Sequence, residues 1–101
     1  MNLNLYSVYD TCAGIYLQIF TKASDGEAIR DWGDICSDAD SMIAKHPEHY
    51  SLYRVGVWNN ASGKINPENP ECLETAHAAI ARVQKIVNPM TDIPENPGGT
   101  D

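Results

Sequence analysis

Much that would announce an activity is missing from these 101 residues. No apolar run approaches the ~18 residues of a membrane span. The first ten residues, MNLNLYSVYD, lack the basic and apolar regions of a secretory signal, so a cytoplasmic compartment is expected. Cysteine is scarce. Cys12, Cys36 and Cys72 are odd in number and far apart, with no CxxC, which argues for free thiols and against a disulfide framework. No glycine-rich phosphate loop, dinucleotide fingerprint or nucleophile elbow is present. Acidic residues are common but form no motif of defined carboxylate spacing. No catalytic residues are assigned, and the chain is read as a non-enzyme without cofactor. His46 and His49 flank Pro47-Glu48, but the proline prevents a helical i, i+3 pair and a third ligand is wanting, so no metal site is assigned.

Basic residues are few as well. Seven Lys and Arg face fourteen Asp and Glu, for a formal charge of −7. The seven are Lys22, Arg30, Lys45, Arg54, Lys64, Arg82 and Lys85, and no two adjoin. Nucleic-acid affinity comes mostly from cations that neutralise phosphates, so tight general DNA binding by one chain is disfavoured.

What is present is ordinary globular material: 43% hydrophobic and 21% charged residues, in one domain's length. Leu3 to Tyr9 reads as a strand. Ile15 to Phe20 reads as its hairpin partner, across a short turn ending at Gly14. Ser24-Asp25-Gly26-Glu27 fits a capping box. It opens a helix over 25–40 whose stripe is Ala28, Ile29, Trp32, Ile35, Cys36 and Ala39. Gly33 weakens that helix by about 1 kcal/mol relative to Ala, unless a close contact needs the missing side chain. Pro47 disfavours helix at His46. Tyr50 to Trp58 is the clearest strand, with Tyr53, Val55 and Val57 on one face and Leu52, Arg54, Gly56 and Trp58 on the other.

A turn at 59–63 leads to a short edge strand, Lys64-Ile65-Asn66, ended by Pro67. Asn69 as N-cap and Pro70 at the first position predict a second helix over 70–87. Its stripe is Leu73, Ala76, His77, Ile80, Val83 and Val87. Trp32 and Ile80, each mid-stripe, are expected in the core. The expectation is an α+β fold in the order β-β-α-β-β-α, with a four-stranded antiparallel sheet and two helices on one face. Residues 1–88 would form the single domain, and 89–101 a flexible, acidic, Pro/Gly-rich tail.

A sheet covered on one side leaves its other face open. Aromatics there could stack unpaired bases or form a protein interface. The candidate nucleic-acid-binding residues are Tyr6, Tyr9, Tyr16, Tyr50, Tyr53 and Trp58, with Arg54 and Lys64 as cations for phosphate.

Tyr6-Ser7-Val8-Tyr9-Asp10 near the start and His46-Pro47-Glu48-His49-Tyr50-Ser51-Leu52-Tyr53-Arg54-Val55-Gly56, in this order, carry a family resemblance. The chain resembles the small nonstructural protein of gokushovirus-type microviruses, bacteriophages with circular single-stranded DNA genomes. The resemblance spans roughly residues 5–80. It implies a nonstructural, protein C-like role at the switch from viral DNA replication to single-stranded DNA synthesis and DNA packaging, in the host cytoplasm. It carries no site residues over. Two classes of function follow. One is a DNA-binding protein that takes single-stranded DNA weakly on its sheet. The other is an acidic protein–protein adaptor acting on phage replication or capsid proteins or on a host protein. A homodimer is compatible with both, and neither calls for a membrane.

Overall fold

The computed structural model describes residues 1–87. The expected tail over 89–101 lies outside them. The chain forms β1 (Asn2–Asp10), β2 (Ile15–Tyr16), β3 (Phe20–Lys22), α1 (Asp25–Ser37), α2 (Met42–Lys45), a single 3₁₀ turn (Pro47–His49), β4 (Tyr50–Asn59), β5 (Ile65–Thr75) and α3 (Ala76–Val87). All strands join one antiparallel sheet in the order β2-β1-β4-β5, with β3 also on β1.

The expected mixed fold with an antiparallel sheet is therefore present, with five strands instead of four. The extra strand comes from splitting the hairpin return. Tyr9 pairs with Tyr16 and Tyr6 with Phe20, so three residues, 17–19, stand opposite Ser7 and Val8. The surplus residue bulges the strand. The Leu17 amide still donates to the Val8 carbonyl, and Ser7 Oγ donates to the Leu17 carbonyl at 2.7 Å.

α1 starts as its cap predicts, with Ser24 Oγ accepting from the Glu27 amide. It ends at Ser37, earlier than residue 40. Ser41 then caps the short α2 by accepting from the Ala44 amide.

The second correction is larger. Residues 69–75 are strand, and no helix begins at Pro70. Glu71 pairs with Arg54, Cys72 with Tyr53, Glu74 with Leu52 and Thr75 with Ser51. An edge strand tolerates Pro67 and Pro70 because its outer amides need no partner. The cap of α3 is Thr75, whose Oγ1 accepts from the Ala78 amide at 3.1 Å.

The core lies between sheet and helices. Tyr6, Val8 and Leu52 from the sheet meet Ala28, Trp32 and Cys36 of α1 and Ala76 and Ala79 of α3. Trp32 is 1% exposed, and its indole N–H reaches the Thr75 carbonyl at 3.5 Å. Ile80 is half-buried against this cluster. Both long helices thus cover the same face. They approach closely at Gly33, where a Cβ would stand 2.9 Å from an Arg82 nitrogen and 3.0 Å from Val83 Cγ2. The Arg82 guanidinium is fixed there by two bonds to Glu74, at 2.9 and 3.0 Å, and one to the Ile29 carbonyl.

Candidate functional site: the open sheet face and the Arg54 cluster

Directly paired residues in antiparallel strands point to the same side of the sheet. On β1, Tyr6 and Val8 point to the helices, so Leu3, Leu5, Ser7 and Tyr9 point away. On β4, Tyr53 opposes Ser7 and Leu52 opposes Val8. The pairing then shifts, because Tyr6 opposes Arg54 but Leu5 opposes Gly56. Val55 is the extra residue of a β-bulge, and beyond it the faces exchange. Gly56 and Trp58, opposite Leu5 and Leu3, therefore join the face of Tyr53. This overturns the simple alternation, which put Trp58 with Arg54 and Val57 with Tyr53.

The open face gathers four of the candidate aromatics, Tyr9, Tyr16, Tyr53 and Trp58, and the three tyrosines cluster. The ring centroids of Tyr9 and Tyr16 are 4.7 Å apart, those of Tyr16 and Tyr53 5.4 Å, and those of Tyr9 and Tyr53 6.1 Å. Such edge-to-face and tilted contacts are favourable for aromatic quadrupoles. Desolvation, then the neighbouring Cys72, raises the Tyr53 phenol above its ordinary range. Cys72 pairs with Tyr53 and Ile65 with Trp58, so β5 adds both to this face. Among the described residues, the register places no Asp, Glu, Lys or Arg on it.

Other candidates are elsewhere. Tyr6 is fully buried beneath the helices and stacks on Phe20, 5.7 Å between centroids, so it cannot meet a base. Its phenol donates to Asp25 Oδ1 at 2.8 Å, and Asn4 donates to the phenol oxygen. Burial pushes its pKa up to about 12, against the Asn4 bond and with the help of Asp25. Tyr50 packs on the core from the helix side. Lys64 is exposed at the turn after β4, where its carbonyl accepts from the Asn59 amide.

Arg54 departs furthest from its expected role. It faces the helix side and is held by three carboxylates: Asp25, Glu68 at 3.2 Å and Glu71 at 2.7 Å. The cluster keeps a surplus of two negative charges, which repels phosphate. Burial works against the Arg54 charge, but the Glu68 bond and the fields of Asp25 and Glu71 outweigh it and raise its pKa. Lys22 and Arg82 are likewise paired, with Asp31 and Glu74. Sequence reasoning missed the carboxylates because Asp25 was read only as helix start and Glu68 and Glu71 as loop and helix. Two glutamates three apart beside prolines carry no signal until β5 is known to pair with β4.

His46 and His49 have centroids 6.4 Å apart. Among the described residues, no three or more His, Cys, Asp or Glu are grouped to hold a metal. Cys12 and Cys72 are exposed and Cys36 is buried, all as free thiols. No helix among the described residues is long and apolar enough to cross a membrane.

Fold and site together define a small α+β domain with one uncharged aromatic sheet face and carboxylate-rich surroundings. The chain belongs to the Phage ORF5 protein family, whose pattern matches residues 3–79. This is a family of small phage proteins. Searches of curated proteins and of solved structures gave no match.

Proposed function

We propose that this phage protein is a nonstructural factor assisting the switch from genome replication to single-stranded DNA synthesis and packaging, and that it acts as an acidic adaptor on protein partners. The microvirus-type resemblance supplies the setting. The observation that favours protein over DNA is the uncharged sheet face: the aromatics that could stack bases have no cation beside them, while Arg54 is turned away and bound to three carboxylates. Stacking without phosphate neutralisation gives little affinity, and the net charge of −7 opposes it further. A basic segment of a phage replication or capsid protein is the partner such a surface suits. α1 exposes Asp34, and Asp38 and Asp40 follow it, all open to solvent.

The test pairs two titrations. Labelled single-stranded DNA should show no binding at low salt or at ~150 mM, where screening removes most of the repulsion. Purified replication and capsid proteins should be retained by the immobilised chain, less so at high salt and less by the variant Asp34→Asn with Asp40→Asn. Binding of single-stranded DNA with no retained phage protein would overturn the adaptor.

A second reading rests on the Tyr9–Tyr16–Tyr53 cluster, which could hold a few unpaired bases with a shallow salt slope. Under that reading Tyr16→Ala abolishes DNA binding. Arg54→Glu acts on the fold instead, since Arg54 is already engaged by three carboxylates.

A further inference from the structure

The sheet face opposite the helices lacks charge in a chain where charge abounds. Tyr9, Tyr16, Tyr53, Trp58, Ile65 and Cys72 share it, and Tyr16 and Ile65 remain 42% and 61% exposed. β4 runs ten residues across a path four strands wide. Taking each strand of that path at its own length, with ~3.3 Å per residue and ~4.8 Å between strands, this is a plan area of roughly 500 Å². That is at the upper end of the apolar patches monomers expose. With side-chain relief it approaches the ~800 Å² per partner of a standard stable interface.

We propose that this face is occupied by a second copy of the chain, in a two-fold symmetric homodimer. Charge selects the occupant. Each copy carries −7, so two copies repel wherever their acidic surfaces meet. The uncharged face is the one broad surface, among the described residues, on which they can join without placing like charges in contact. A two-fold axis through it is isologous, so one self-complementary patch serves both copies. The Tyr and Trp content is what buried interface centres favour. Face-to-face packing at ~10 Å would turn two open sheets into a sandwich flanked by helices on both outer sides. This inference goes beyond the adaptor reading and does not rest on it, because it uses none of the acidic surface.

Sedimentation velocity of the full chain checks it. The expected mass is twice the 11.1 kDa of one chain. The dimer fraction should rise with salt, because screening relieves repulsion between like-charged copies. Tyr16→Glu, 42% exposed on the two-residue edge strand β2, should give single chains with an unchanged circular dichroism spectrum. Ile86→Glu, on the solvent side of α3, should remain dimeric. The unmodified chain offers an independent measure. Trp32 is buried in the core, so a change in fluorescence quenching on dilution reports Trp58. Acrylamide should quench more as the protein is diluted. A monomer at every concentration and salt, a dimer untouched by Tyr16→Glu, or quenching independent of dilution would each overturn the proposal.

Discussion

At the scale of single residues, the most constrained position is Gly56. A Cβ there would lie 2.7 Å from the Asn66 carbonyl oxygen and 3.3 Å from Pro67 Cα. Both are backbone atoms of β5, so no side-chain rotation relieves the contact. Gly56→Ala should destabilise by about 1–3 kcal/mol, the usual range for overpacking, although Ala is otherwise the better residue. Urea unfolding would show it as a lower midpoint at unchanged slope. Two buried acids give a second expectation. Burial pushes the Cys36 thiol from 9.0 up to about 12, with Glu74 adding to it and Arg82 opposing. Tyr6 is pushed up to about 12 as well. Both protons are held more tightly in the folded chain than in the unfolded one. Their contribution is full below the unfolded values and is lost as pH climbs toward 12. The melting temperature should therefore fall between about pH 9 and pH 12. Cys36→Ala should flatten the first part of that fall, which differential scanning fluorimetry across the range can measure.

Elements were legible where local pattern and tertiary demand agree. α1 has a Ser24 cap, a stripe centred on Trp32 and an apolar partner sheet, and it stands where its sequence places it. Ser24→Ala should cost about 1 kcal/mol, the ordinary worth of a capping hydroxyl, and melt the first turn of α1 preferentially in amide exchange. β4 likewise follows from its Tyr- and Val-rich run. β5 was illegible because two signals competed. Asn69-Pro70 resembles a helix start, and Ala76 to Ala81 extends the helical propensity backward. The winning term is non-local: the backbone of 65–75 pairs along β4, which no window over those residues contains. Thr75 then supplies the cap that Asn69 resembled. Among the site candidates, Tyr9, Tyr16 and Tyr53 were named as aromatics on predicted strands, and the register places them on the open face. Tyr6 was misread because alternation gives two faces without saying which one the helices cover. Trp58 also stands on the open face, but it was grouped with Arg54 because nothing local marks Val55 as surplus.

For the molecule as a whole, stability should be graded from the middle of the sheet outward. β1 and β4 have a neighbour on both sides, and β1 supplies Tyr6 and Val8 to the core. β5 is an edge whose first eight residues are exposed, and β2 has only two residues. Native-state hydrogen exchange should rank amides of β1 and β4 slowest and those of 65–70 fast. Equal protection across β4 and β5 would contradict that gradient. The same central strand governs how the two sides of the molecule are written. β4 is read in two frames: even-numbered residues serve the helix side before Val55, and odd-numbered ones after it. Val55 is the frameshift between them. Removing that one residue would join Arg54 to Gly56 in plain alternation, leaving Val57 under the helices and Trp58 on the open face while the bulge is lost. A substitution on β4 edits one letter of one surface, whereas deleting Val55 straightens the strand and leaves both surfaces as written.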